Sequence, residues 1–344
     1  MRPFDHSDIC LATGSAGELL ASCVEYPSRR EHIEKLVDEF GGALEVSDLR
    51  CGLFDGLTGV AWVLEKYVGP LGLADTEAVT HNIRSLALQE VGATRSADII
   101  SGVAGIGLYS CLVNDAHELA SAALDRLVTD RGIYEKLSTN LGIAHGIPGL
   151  LIAISSIIDK YPQLGTNSVM EFVVDVHSTL EQLAKPSERD GCGYVVGDGK
   201  VARIAWCYGD LSVAAGLNAS HSLVPRRCKA DAIRRLCERV LARPIATWQM
   251  TDYGLCHGIS GVHLLLSSLA HFISSSDASA LLRDQMIGAL SSDSSSEPST
   301  YLYDRNYGEN SLLGGRPGMA LWQHQFSPAP DNRWHSLFLG GQSQ

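Results

Sequence analysis

The chain has 344 residues, 45% of them apolar, enough for one large domain or two ordinary ones with a sizeable core. A net charge of −12 argues against nucleic acid as a partner, because a phosphate-binding surface needs clustered Lys and Arg; a cationic or peptidic partner is compatible with it. No apolar run reaches the roughly 18 residues of a membrane span, the segment Met1-Arg2-Pro3-Phe4-Asp5-His6 has no apolar signal core, and nine irregularly spaced cysteines suit a reducing cytoplasm better than a disulfide framework.

In chain order, the sequence is punctuated by a Gly-x-x-Gly step: Gly14-Ser-Ala-Gly17, Gly56-Leu-Thr-Gly59, Gly102-Val-Ala-Gly105, Gly146-Ile-Pro-Gly149, Gly258-Ile-Ser-Gly261 and Gly315-Arg-Pro-Gly318. Gly209-Asp-Leu-Ser212 is a degenerate copy between the fourth and the next clear one. The first glycines are separated by 42, 46, 44, 63, 49 and 57 residues, which makes seven units. An apolar stretch follows each step, as in Leu150-Leu-Ile-Ala-Ile154. Between these stretches, residues 30–40, 119–128, 169–183 and 232–241 place apolar side chains three and four apart, the pattern of amphipathic helices. Periodicity alone leaves the apolar runs open between strand and buried helix. The alternation as a whole predicts an all-α chain, an α/α toroid of about seven inner and about seven outer helices. The glycines would start the inner helices, where a missing Cβ permits close approach. Residues 185–200 read as a polar loop or small hairpin, and residues 291–299 as a flexible surface loop. After Gly318 there is room for one inner helix and a short tail with Trp334 and Phe338. With no seventh outer helix visible, ring closure is expected to be irregular or to use the amino terminus.

The chemistry sits at one phase of the repeat. Cys207 and Cys256 each lie two residues before a first glycine, His257 and His145 one before, and Asp98 four before. If the inner helices start around one rim, these side chains converge there. Two thiolates and an imidazole are the ligands of a catalytic zinc, which keeps a coordination position open where structural zinc is closed by a fourth residue. On a helix Cys256 and His257 would point about 100° apart, so they are expected on the turn leading into it. Singly, each residue has a plainer reading. The cysteines read as buried apolar fillers, His145 as a satisfied structural residue, Asp98 as a helix cap, Arg203 as a surface charge and Tyr208 as a buried ring.

With these strings assembled, the chain resembles the lanthionine synthetase C-like family, the cyclases of lantibiotic biosynthesis. The matching pieces are Asp98-Ile-Ile-Ser-Gly102, Asn140-Leu-Gly-Ile-Ala-His145-Gly, Arg203-Ile-Ala-Trp-Cys207-Tyr208-Gly-Asp and Cys256-His257-Gly-Ile-Ser-Gly. The resemblance implies a single cyclase domain over residues 1–344. It implies one Zn²⁺ held by Cys207, Cys256 and His257, with Asp98, His145, Arg203 and Tyr208 at the other active-site positions. The implied reaction adds a Cys thiol to dehydroalanine or dehydrobutyrine in a dehydrated precursor peptide, giving a lanthionine or methyllanthionine ring. In that setting Arg203 is a candidate to stabilise enolate charge, and His145, oriented by Asp98, a candidate proton donor or acceptor. No dehydratase is attached, so a separate dehydratase and an exporter are expected partners. The location is expected to be cytoplasmic, with attachment to a membrane through partner proteins. A second reading is a zinc-containing toroid that binds thiols such as glutathione without forming rings. A third, an α/α-toroid glycosidase or terpenoid-type enzyme, would leave the zinc trio unexplained.

Overall fold

The computed structural model describes residues 9–44, 50–138, 140–183, 202–224, 230–244, 247–250, 252–273 and 308–342. The polar stretch expected at 185–200 and the serine-rich stretch at 291–299 lie outside the described residues.

Each first glycine of the step is the residue immediately before a buried helix. Gly14, Gly56, Gly102, Gly146, Gly209, Gly258 and Gly315 precede α1 (Ser15–Glu25), α3 (Leu57–Val63), α5 (Val103–Leu112), α8 (Ile147–Lys160), α10 (Asp210–Ala219), α12 (Ile259–Ser268) and α13 (Arg316–His324). The second glycine explains why the step recurs. A Cβ at Gly59, Gly105, Gly149, Gly261 or Gly318 would lie 1.9–2.1 Å from the carbonyl oxygen six residues earlier, far inside contact distance, and at Gly17 it would lie 2.7 Å away. The loop therefore folds back onto its own helix only where no side chain intervenes. The fifth unit has Ser212 at this place, and its hydroxyl donates to the equivalent carbonyl, that of Trp206, at 2.6 Å. Its turn is also different: Gly209 has φ +106°, a conformation that L side chains rarely adopt.

The same glycines join neighbouring units. A Cβ on Gly59 would press on Leu11 of the first unit, on Gly105 on Leu53 of the second, on Gly149 on Ile99 of the third, on Gly318 on Leu255 of the sixth, and on Gly17 on Leu312 of the seventh. The last contact closes the ring. A belt of backbone hydrogen bonds follows the same path: Ala12 N to Phe54 O, Phe54 N to Ile100 O, Ile99 N to Ala144 O, Cys207 N to Cys256 O, Cys256 N to Leu313 O and Leu313 N back to Ala12 O. The seam between the fourth and fifth units is bridged by packing, with Gly142 against the Cys207 carbonyl. The toroid is thus closed directly by its first and seventh units, α1 packing on α13, with Ser311 Oγ also donating to the Ala12 carbonyl.

The outer layer holds α2 (Arg30–Leu44), α4 (Glu77–Ala93), α6 (His117–Thr129), α9 (Asn167–Leu183) and α11 (Ala230–Ala242). In each case one stripe is buried, as with Ile233, Leu236, Cys237 and Val240 of α11. Each such aliphatic side chain contributes about 1.5–3 kcal/mol by leaving water, which is why the outer helices hold to the ring. A further short helix, α7 (Arg131–Leu137), follows α6 directly because Asp130 ends one helix and caps the next, accepting from Gly132 N and Ile133 N.

The segment with Trp334 and Phe338, read from sequence as a short tail, turns inward. α14 (His335–Leu339) and the turn after it enter the middle of the toroid, touching α5, α8 and α12. Phe338 stacks edge-on against Phe54 at 5.3 Å and Trp206 at 5.1 Å, and its carbonyl accepts from Trp206 Nε1 at 3.0 Å. Among the described residues no helix is long and apolar enough to cross a membrane.

Candidate metal centre

The loops that end on the first glycines form one rim of the toroid and surround a cavity of about 320 Å³. Two consecutive positions of the repeat supply much of its wall. The residues two before the glycine give Ala12, Ile100, Ala144, Cys207, Cys256 and Leu313. The residues one before give Thr13, Asp55, His145, Tyr208 and His257, and Cys10 and Asn140 complete the wall. The repeat thus converts equal phase along the chain into proximity in space.

Cys207, Cys256 and His257 meet here. Their ligand atoms all lie within 4.8 Å of one another, and Cys256 Sγ is 3.6 Å from His257 Nε2. Donors on a shared tetrahedral zinc sit roughly 3.5–4 Å apart given the bond lengths involved, so a small contraction would close the trio on one ion. As expected, Cys256 and His257 lie on the turn before α12, whose first residue is Ile259, not on the helix itself. Cys256 is buried and the other two are half-buried. The Cys207 thiol is pulled down to about 5, first by its hydrogen bond with Cys256 and against its burial, with His257 and the charge of Arg203 adding to the effect. A thiolate is the form that binds metal. The donor set fits a soft or borderline cation, and it is the only such grouping of His, Cys, Asp or Glu among the described residues.

Beside the trio, His145 Nδ1 lies 2.7 Å from Asp98 Oδ2, and Asp98 Oδ1 accepts from Ser101 N at 2.8 Å. Asp98 is therefore both the turn cap and the partner of His145. The hydrogen bond to Asp98 holds the imidazole above its ordinary value against the opposing effect of burial, and the charges of Asp98, Cys207 and Asp55 act in the same sense. Tyr208 lines the cavity, its phenol raised by burial. Arg203 is exposed and does not line the cavity; it stands six residues before Gly209, whose missing Cβ makes room for the Arg203 carbonyl.

The family described as lanthionine synthetase C-like protein matches residues 8–339. The chain belongs to that family. Among solved structures, one titled "Nisin cyclase" superposes with a TM-score of 0.74 at 16% identity, covering 97% of this chain and 93% of that one. That likeness establishes the toroid as a shared fold. None of the curated proteins compared matches the sequence.

Sequence reasoning missed Asp55, Cys10, Thr13 and Asn140 as members of this family member's cavity wall. For Asp55 and Thr13 the signal was available: each immediately precedes a first glycine, as His145 and His257 do.

Proposed function

We propose that the protein is a zinc-dependent peptide cyclase, forming lanthionine or methyllanthionine rings in a dehydrated precursor peptide. The observation that carries this is the convergence of Cys207, Cys256 and His257 on one cavity, with no fourth protein ligand among the described residues. Bound there, zinc would hold the substrate's sulfur and ease its ionisation. Two protein thiolates in the ligand set suit a reactive sulfur better than an all-histidine set, which mainly acidifies water.

The chain's own residues then account for the rest. The half-exposed His145, aimed by Asp98, is placed to take or give a proton beside Cys207. Arg203 stands outside the cavity wall, but its charge acts on Cys207, which supports its role in this reading as the candidate to stabilise the enolate. Tyr208 contributes to the cavity wall that holds His145 and the metal ligands. A dehydratase supplies the alkene in this reading, and the substrate is the precursor peptide it has modified.

The test is incubation of the zinc-loaded protein with a peptide carrying a dehydrobutyrine and a cysteine. Loss of free thiol at unchanged peptide mass is the expected result. A thiol that stays titratable refutes the cyclase; a glutathione adduct or tight glutathione binding without ring formation would favour the thiol-binding alternative.

A further inference from the structure

The reaction needs one group to take the thiol proton and one to deliver a proton to the α-carbon. In a ring of seven units, the seam between the fifth and sixth, which holds Cys207, Cys256 and His257, faces the second unit across the axis. The second unit presents Asp55 to the cavity, at the repeat position that gives His145 in the fourth unit. His145 is next to the sulfur side; Asp55 is across from it. The wall near Asp55 is otherwise formed by Ala12, Ile100, Thr13 and Cys10, none of which carries a carboxyl group.

The Asp55 carboxyl is built in. A Cβ on Gly52 would lie 2.0 Å from Asp55 Oδ1, so only glycine there leaves room for it. That oxygen is buried without a hydrogen-bond partner. Burial raises the carboxyl above its ordinary range, the Ser101 hydrogen bond lowers it, the Asp98 charge raises it and Arg50 lowers it. An acid that keeps its proton further toward neutral pH, in a fixed place, is suited to general-acid work.

Resting on the cyclase reading, we propose that Asp55 is a catalytic acid that protonates the α-carbon from the face of the alkene turned away from the incoming sulfur. The thiol gives its proton to His145 as the S–C bond forms at the β-carbon. The π pair moves onto the carbonyl oxygen as an enolate. The enolate collapses as the Asp55 O–H proton passes to the α-carbon, leaving a carboxylate. His145 then releases its proton to water and Asp55 takes one back, so no proton is gained or lost overall. Sulfur and hydrogen add anti.

A dehydrobutyrine-containing peptide tests this, because the relative configuration of the methyllanthionine records which faces were used. The parent chain is expected to give the anti diastereomer, read by chiral gas chromatography after hydrolysis. Asp55→Asn is expected to keep its zinc and KM, and to lose about a hundredfold or more in kcat, with partial recovery in Asp55→Glu. Asp55→Asn cyclising at the parent rate, or a syn product from the parent, overturns the assignment while leaving the cyclase intact. A parent chain that makes no ring overturns the cyclase reading, and this assignment with it.

Discussion

Two residues of the centre, Cys207 and His145, depend on neighbours for their protonation state. Metal binding needs deprotonated thiols, and the Cys207 thiol is held near 5 by its hydrogen bond with Cys256. Metal retention should therefore be level through neutral pH and fall as acid carries the protein below about 5, which a colorimetric chelator would follow. Cys207→Ala and Cys256→Ala should each lower bound zinc well below one equivalent by elemental analysis. His145→Asn should keep the metal yet slow cyclisation by about 10²–10⁴-fold; an unchanged rate would remove His145 from the chemistry. The imidazole is raised chiefly through Asp98, so Asp98→Asn should move its titration to lower pH, visible by NMR of the ring protons. The ligand trio was legible in sequence because each member stands against a glycine that must start a helix. Asp55 stands in the same relation to Gly56, yet aspartate before glycine is so ordinary a turn pair that its position drew no notice.

The element that matters most is the glycine step, and glycines inside and outside it respond differently when filled. Gly149→Ala would drive a Cβ to 2.0 Å from the Ile143 carbonyl and 2.8 Å from Ile99. Overpacking of this kind costs about 1–3 kcal/mol or more, measurable as a lower urea midpoint. Gly92, in the outer helix α4, has nothing within 4 Å of its would-be Cβ, so Gly92→Ala should stabilise by about 0.4–1 kcal/mol. Gly142→Ala is of a third kind. Its Cβ would lie 1.9 Å from the Cys207 carbonyl, so it should weaken metal binding as well as the fold. The inner helices could be foreseen because seven copies at one phase outweigh the ambiguity of any single apolar run. The junction between α6 and α7 was missed for the opposite reason: Asp130 closes one helix and opens the next, and a pattern of apolar spacing does not register so brief a break.

At the scale of the molecule, the ring is closed by its own first and seventh units, and what remained hidden was the destination of the tail. Trp334 and Phe338 are conspicuous in sequence, but the space that buries them exists only once seven units have closed around it. Phe338 is fully buried against Phe54 and Trp206, so Phe338→Ala should cost about 3–5 kcal/mol and lower the thermal midpoint. Those three rings lie directly beneath the cavity wall, since Phe54 precedes Asp55 and Trp206 precedes Cys207. Among the described residues the vessel is therefore a cup and not a pipe. A polypeptide cannot be drawn through it from end to end; whatever dips in must back out by the way it came, so in a multi-ring product each closure would be a separate visit, and the order of closures would be set by the flexible guest and not by travel along a track.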